Sequence, residues 1–209
     1  MKHMNVLTRR LTRRSKPKSG EPRVTELAYM AMMGVDIAGF GRLDPYVHPA
    51  VRASLYRIVG EAAESNAIPW DQPEKRREDR GDGFYLLADI GVIDRVEDLV
   101  VAIDAGLRRH NRRAPAEQRV TLRMAFHTGF VQHDEEGLTG PDPLLLFRLL
   151  DSKVLKEHLA ESGRQSAFAI SAPAHHAAVQ RRALTAADYV EVVVEEKETR
   201  ERAWIRHVP

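Results

Sequence analysis

Two short stretches constrain this chain more than any others: MMGVDIAGF, from Met32 to Phe40, and RGDGF, from Arg80 to Phe84. Each places one aspartate, Asp36 or Asp82, where a β-branched or aromatic run meets a glycine-containing turn. Two carboxylates delivered from two strand ends suit a pair of divalent cations such as Mg²⁺ or Mn²⁺. Hard cations of this kind take oxygen ligands and usually share them with a substrate phosphate.

The surrounding pattern supplies the elements. Glu26 to Ile37 is apolar with too little polar periodicity for a surface helix, which predicts a buried strand. Val51, Leu55, Ile58, Val59 and Ala62 fall at helical spacing, in a helix that ends near Ser65-Asn66. The polar run DQPEKRREDR leads into Gly81-Asp82-Gly83 and then FYLLADI, a hairpin with Asp82 at its exposed bend. Val96, Leu99, Val100, Ile103 and Leu107 make an amphipathic helix of roughly 93 to 112, whose closing arginines complement the helix dipole. QRVTLRMAFHTGFV, 118 to 131, alternates like a half-buried strand and precedes a charged loop. LLLFRLLDSKVLKEHLAES reads as one helix, and Arg148 is the exception in its apolar stretch. Because a buried guanidinium is costly, Arg148 either surfaces or faces an anion. Strand 167–171, a short helix from Pro173 to Arg181, and strands 189–195 and 202–207 complete the order. The expected fold is α+β, a ferredoxin-like split βαβ arrangement with a mainly antiparallel sheet and helices packed on one face of it.

Composition narrows the setting. At 209 residues the chain has room for one sizeable core, expected over 23–209, with a basic disordered tail over 1–22. That tail carries a charge of +6 against a net +2, so the remainder is acidic by −4. It lacks aromatic interleaving and reads as a solvated segment, with no specific nucleic-acid partner. The absence of cysteine excludes disulfides and thiolate metal sites and fits a reducing, cytoplasmic setting. No apolar run approaches the ~18 residues of a membrane span.

Taken together, VDIAGFGRL, EDRGDGF, RMAFHTGFV and the spacing from Gly140 to Arg148-Leu149 resemble the catalytic domain of the class III nucleotidyl (adenylyl/guanylyl) cyclases. The resemblance runs in order over about residues 26–208. It implies a nucleoside triphosphate substrate, a 3′,5′-cyclic monophosphate and pyrophosphate as products, and two Mg²⁺ or Mn²⁺ ions per active site. Asp36, Asp82 and the backbone carbonyl of Ile37 match the metal ligands. The backbone from Ala38 through Gly39 to Phe40 matches the phosphate cradle. Arg148 matches the transition-state arginine, which the family draws from a partner subunit, so the resemblance implies a homodimer with sites at the interface. Lys197 matches the lysine that grips the terminal phosphates, with Lys153 and Lys156 as alternatives.

Glu78, four residues before Asp82, matches the base-reading position. Its carboxylate accepts hydrogen bonds from guanine or uracil better than from adenine N1, which is itself an acceptor. GTP or UTP is therefore expected over ATP, and the domain is also similar to the bacterial pyrimidine cyclases of antiphage defence. Leu144 departs from the pattern, standing where the family carries a ribose-orienting asparagine. A module that binds nucleotide or a partner without turnover is the alternative. A diguanylate-type activity is disfavoured, because the hairpin lacks a G-G-[DE]-E-F signature. His127 reads as a packed, hydrogen-bonded core histidine.

Overall fold

The apolar run after Leu27 forms strand β1 (Ala28–Ile37), and every later element is placed relative to it. The structure, a computed structural model, describes residues 27–70, 77–133 and 138–207. The basic segment 1–22 and most of the charged loop after the fourth strand lie outside the described residues.

After β1 come α1 (His48–Ser65), the hairpin β2 (Arg77–Asp79) and β3 (Gly83–Ala88), α2 (Val96–Asn111) and β4 (Leu122–His133). A two-residue β5 (Leu138–Thr139) then leads to α3 (Pro141–Asp151), α4 (Lys153–Ser162), β6 (Ser166–Ser171) and α5 (Ala172–Gln180). The hairpin of β7 (Tyr189–Glu196) and β8 (Thr199–Arg206) follows. The sheet runs β2-β3-β1-β4-β6-β8-β7, with β5 paired to β4 off that path. All of these pairings are antiparallel except β4 with β6. The expected α+β fold with a mainly antiparallel sheet and helices on it is the fold observed.

Alternation along β1 sorts the helices. Ala31, Met33, Val35 and Ile37 join Val51, Leu55, Leu99, Ile103 and Ala174 in the core under α1, α2 and α5. Met32, from the other face, packs with Leu146, Leu149 and Leu150 of α3. Ala167, Ala169 and Ile205 of that second face meet Leu155 and Leu159 of α4. Helices therefore cover both faces of the sheet, not one. The reason lies in β1, β4 and β6, which carry apolar side chains on both sides and need shielding on both.

The single helix expected from LLLFRLLDSKVLKEHLAES is also two helices. Ser152 adopts an extended backbone, its hydroxyl donates to the Leu149 carbonyl at 2.9 Å, and it accepts from the Leu155 amide at 3.4 Å. It closes α3 and caps α4 in one residue. α2 carries Glu97 and Asp98 in its first turn and Arg108, Arg109 and His110 in its last, matched to the helix dipole. Among the described residues, no helix is long and apolar enough to cross a membrane.

Candidate active site

Antiparallel register brings the two aspartates together. Asp36 of β1 stands opposite Gly83 of β3, and the Ile37 amide donates to the Asp82 carbonyl at 2.9 Å. The turn before β3 is made by Gly81 at φ +94°, a conformation that glycine alone adopts cheaply. Gly83 is held so tightly that an added Cβ would collide with the Val35 carbonyl oxygen. A side chain there would drive the two strand ends apart.

On the α3 face of the sheet, Asp36 is directly opposite Arg123 of β4. The guanidinium donates from Nε to Oδ1 at 2.9 Å and from Nη2 to Oδ2 at 2.8 Å. Asp36 is only 7% exposed, and its burial raises the carboxyl pKa from the ordinary 3.8 to about 6. Arg123 pulls it down, while the neighbouring Asp82 and Asp151 push it further up. Asp36, Asp82, Arg80, Arg123, Phe147 and Asp151 line a pocket of about 150 Å³. Three carboxylates line the pocket: Asp36, Asp82 and Asp151.

Among the described residues, no group of three or more His, Cys, Asp or Glu side chains converges as a closed metal cage. Hard divalent cations bound with substrate phosphates need no such cage. One or two carboxylates suffice, with water and phosphate oxygens completing the set. Asp36 and Asp82 are carboxylates of that kind in one pocket, whereas Ile37 is not among the residues lining it. The raised pKa of Asp36, in a pocket with other acids, marks a place where added positive charge is favourable.

Beyond Arg123 the electrostatics reverse. A second cavity, of about 530 Å³, is lined by Gly39, Arg42, Arg123, Lys156 and Arg164 together with small or apolar residues; no carboxylate is among its described lining residues, and Arg123 and Lys156 pair with Asp36 and Asp151 outside it. Gly39 adopts φ +73°, and a Cβ there would meet the Arg42 guanidinium at 2.7 Å. The glycine lets Arg42 fold back over the β1–α1 turn. Phe40 stacks on His48 with centroids 4.1 Å apart, fixing that turn. Arg123 lines both cavities and is their shared wall.

The other sequence-derived residues lie apart from the aspartates. Glu78, on the edge strand β2, accepts a hydrogen bond from the Tyr85 hydroxyl, and Tyr85 packs edge-on against Phe147 at 5.8 Å. Burial and the Glu78 carboxylate push the Tyr85 phenol well above its usual pKa. Arg80 lies over the Phe147 ring, 4.1 Å from its centre. Arg148 does not line the aspartate pocket: it projects toward the β7–β8 turn, where it pairs with Glu198 at 2.9 Å. Its side chain is 15% exposed, and its Nε is buried without a partner. Lys197, at φ +53°, immediately precedes Glu198 in that turn. Leu144 is 42% exposed.

His127 is buried, as expected. Its Nδ1 lies 2.7 Å from the Ser171 hydroxyl and its Nε2 3.4 Å from Asp142. Burial lowers its pKa, and the line ties the start of α3 to β4. Sequence reasoning missed Arg123, Arg42 and Arg164. Arg123 had a usable signal: in a strand alternating with Leu122 and Met124, it faces the same side as Asp36.

No family model matches the chain, and no curated protein matches its sequence. Solved structures share its fold. The adenylate/guanylate cyclase/hydrolase from Silicibacter pomeroyi matches with a TM-score of 0.62 at 17% identity, over 88% of this chain and 99% of that one. The guanylyl cyclase Cya2 matches with a TM-score of 0.59 at 15% identity, covering 87% and 91% of the two chains. The monomeric guanylyl cyclase domain of the RhoGC fusion protein from Blastocladiella emersonii gives 0.59 at 13% identity, covering 88% and 96%. The chain thus has the fold of adenylate and guanylate cyclase catalytic domains.

Proposed function

We propose that the protein is a nucleotidyl cyclase, joining the ribose 3′-oxygen of a nucleoside triphosphate to its α-phosphorus with loss of pyrophosphate. The observation that carries this reading is the shared wall: a carboxylate pair and a carboxylate-free basic cavity meet at Arg123. A triphosphate needs both, because cations held by carboxylates offset the negative charge at the reacting end and the leaving end needs donors. Asp36, Asp82 and the Ile37 carbonyl would hold two Mg²⁺ or Mn²⁺ ions, which when bound supply charge neutralisation and a more acidic 3′-hydroxyl. The turn from Ala38 through Gly39 to Phe40 offers backbone N–H groups to phosphate oxygens. Once Asp36 is otherwise engaged, Arg123 is free to turn its donors toward the same phosphates.

Arg148 would stabilise charge on the α-phosphate of a site in a second copy. Its position outside the aspartate pocket of its own chain supports a homodimer with composite sites. Glu78, with one oxygen taken by Tyr85, keeps the other to accept from guanine or uracil, so GTP or UTP is favoured. A second reading, a nucleotide- or partner-binding module without turnover, is favoured by Leu144 and by the engagement of Arg148 with Glu198.

The test is incubation with ATP, GTP, UTP and CTP plus Mn²⁺, with products read by mass spectrometry and Asp36→Ala alongside. We expect one cyclic monophosphate, absent in the variant. A pyrimidine product would ally the chain with the antiphage cyclases. No product from any base, from a protein that binds Mn²⁺, would put the binding module first.

A further inference from the structure

Away from the aspartate pocket, the end of α2 carries more arginine than its helix dipole calls for. Arg108, Arg109, Arg112, Arg113 and Arg119 stand against Glu117 alone over residues 108–119, in a body that is otherwise acidic. The dipole acts only within the last turn, and Arg112, Arg113 and Arg119 follow Asn111, where α2 ends. At Gly106, α2 comes so close to α1 that an added Cβ would lie 2.9 Å from a methyl carbon of Ile58. Beside this contact runs a groove of about 360 Å³, lined by Arg57 of α1 and by Gly106, Arg109, His110, Arg113 and Gln118.

The cations of the groove differ in how they are held. Arg57 pairs with Glu61 at 3.2 Å, and its Nη2 lies 3.5 Å from His110 Nδ1. His110 Nε2 is 3.1 Å from the Gln118 carbonyl, which can only accept, so Nε2 carries the proton and the neutral ring offers Nδ1 to Arg57. One end of the Arg57 guanidinium is thereby fixed at the groove wall. Arg109 and Arg113 have no ion-pair partner among the described residues, and no carboxylate is among the described lining residues of the groove. Two unpaired guanidinium groups on one groove repel each other, and an anion between them turns that repulsion into attraction.

We infer that this groove is a second anion site, separate from the aspartate pocket, and that Arg109 and Arg113, with Arg57 beside them, take the phosphate group of a small phosphorylated ligand. Guanidinium forks that arrive from α1 and from the end of α2 suit a tetrahedral oxyanion, which offers oxygens in several directions, better than a planar carboxylate. The volume is that of a small-molecule site. No Phe, Tyr or Trp is among the described lining residues, so the groove has no platform for stacking the bases of a single-stranded nucleic acid. The site does not depend on the cyclase reading, because none of its residues belongs to the aspartate pocket.

The experiment is isothermal titration of the full chain with pyrophosphate in EDTA, which keeps divalent cations out of the aspartate pocket. Wild type is compared with Arg109→Ala, Arg113→Ala and their double variant, each first shown by circular dichroism to be folded. Arg42→Ala/Arg164→Ala, which weakens the basic cavity at the β1–α1 turn and leaves the groove intact, is the control. We expect each single change to weaken binding about 5-fold and the pair about 25-fold, the scale of exposed charge-assisted bonds, while the control keeps a site of wild-type affinity. Arg109→Lys/Arg113→Lys, which keeps the charge and loses the forks, should bind about 5-fold more weakly than wild type. No binding by wild type, wild-type affinity in the double alanine variant, or loss of binding in the control overturns the inference. Wild-type affinity in the lysine variant also overturns it, by reducing the groove to a generally positive surface. Binding of phosphatidylserine vesicles or of single-stranded RNA in place of pyrophosphate, lost in the double alanine variant, would assign the arginines to a membrane surface or a nucleic acid instead.

Discussion

Arg123 and Asp36 face each other across β4 and β1 as a bidentate pair, with both bonds under 3 Å, inside the pocket that also holds Asp82. The pair leaves Asp36 closer to neutrality than its geometry suggests, since burial outweighs the attraction. On the cyclase reading, Arg123 therefore competes for the place a metal cation would take.

That competition has a pH signature. The folded state holds the Asp36 proton up to a pKa of about 6, against 3.8 for an unperturbed carboxyl. Between these values the native state binds more protons than the unfolded state, so the Asp36 contribution to stability is full at low pH and falls as pH rises through about 6. The difference in unfolding free energy between wild type and Asp36→Asn should shift by about 3 kcal/mol across pH 4 to 7, with wild type losing ground. Urea titrations at fixed pH values measure it, and a flat difference would show Asp36 to be ordinary.

Cation binding should act in the opposite sense. Mn²⁺ at about 100 times its Kd should raise Tm by about 5–10 °C near pH 7.5, and much less below pH 6, where Asp36 is protonated. Asp36→Ala and Asp82→Ala should each abolish the shift. An unchanged response in either variant would place the metal elsewhere.

Gly83 tests the backbone approach. Gly83→Ala puts a methyl carbon against the Val35 carbonyl and the Asp36 Cα, and should cost about 3 kcal/mol while separating the aspartates. Gly41→Ala, where a Cβ meets nothing within 4 Å, is the control and should be nearly neutral.

Arg148 and Glu198 separate a structural pair from a catalytic one. Glu198 is 65% exposed, so Glu198→Ala should leave stability nearly unchanged. Arg148→Ala should lower product formation about 100-fold or more if the guanidinium meets developing charge in a second copy. Mixing Arg148→Ala with Asp36→Ala protein should restore part of the turnover, because one composite site of the mixed dimer is then intact. No restoration would argue against composite sites.

The sequence reports β1 well because its residues must be apolar on both faces, and it reports the aspartate pair because Gly81 and Gly83 flank Asp82 while Gly34 and Gly39 lie two and three residues either side of Asp36. It is silent on the two-sided helix cover. LLLFRLLD is apolar enough to fit either face, and only the pairing of Met32 with Leu146 and Leu149 decides it. The break at Ser152 was legible in principle, since serine is a common N-cap, but the apolar spacing runs through it. Arg123 and Arg164 were not legible as partners. Two helices separate them along the chain, and they meet only because β4 and β6 pair in parallel.

β1 is bonded along much of its length to β3 on one side and β4 on the other, while Asp82 rides on a hairpin whose outer strand has only three residues. Amide hydrogen exchange should accordingly be slowest around Met32 to Val35 and much faster around Arg80 to Asp82. The site is then an anvil and a hammer. Asp36 is set in the segment that opens last, and Asp82 in one that opens cheaply. On the cyclase reading, adjustment to a bound nucleotide would fall to the hairpin, with the β1 carboxylate as the fixed reference.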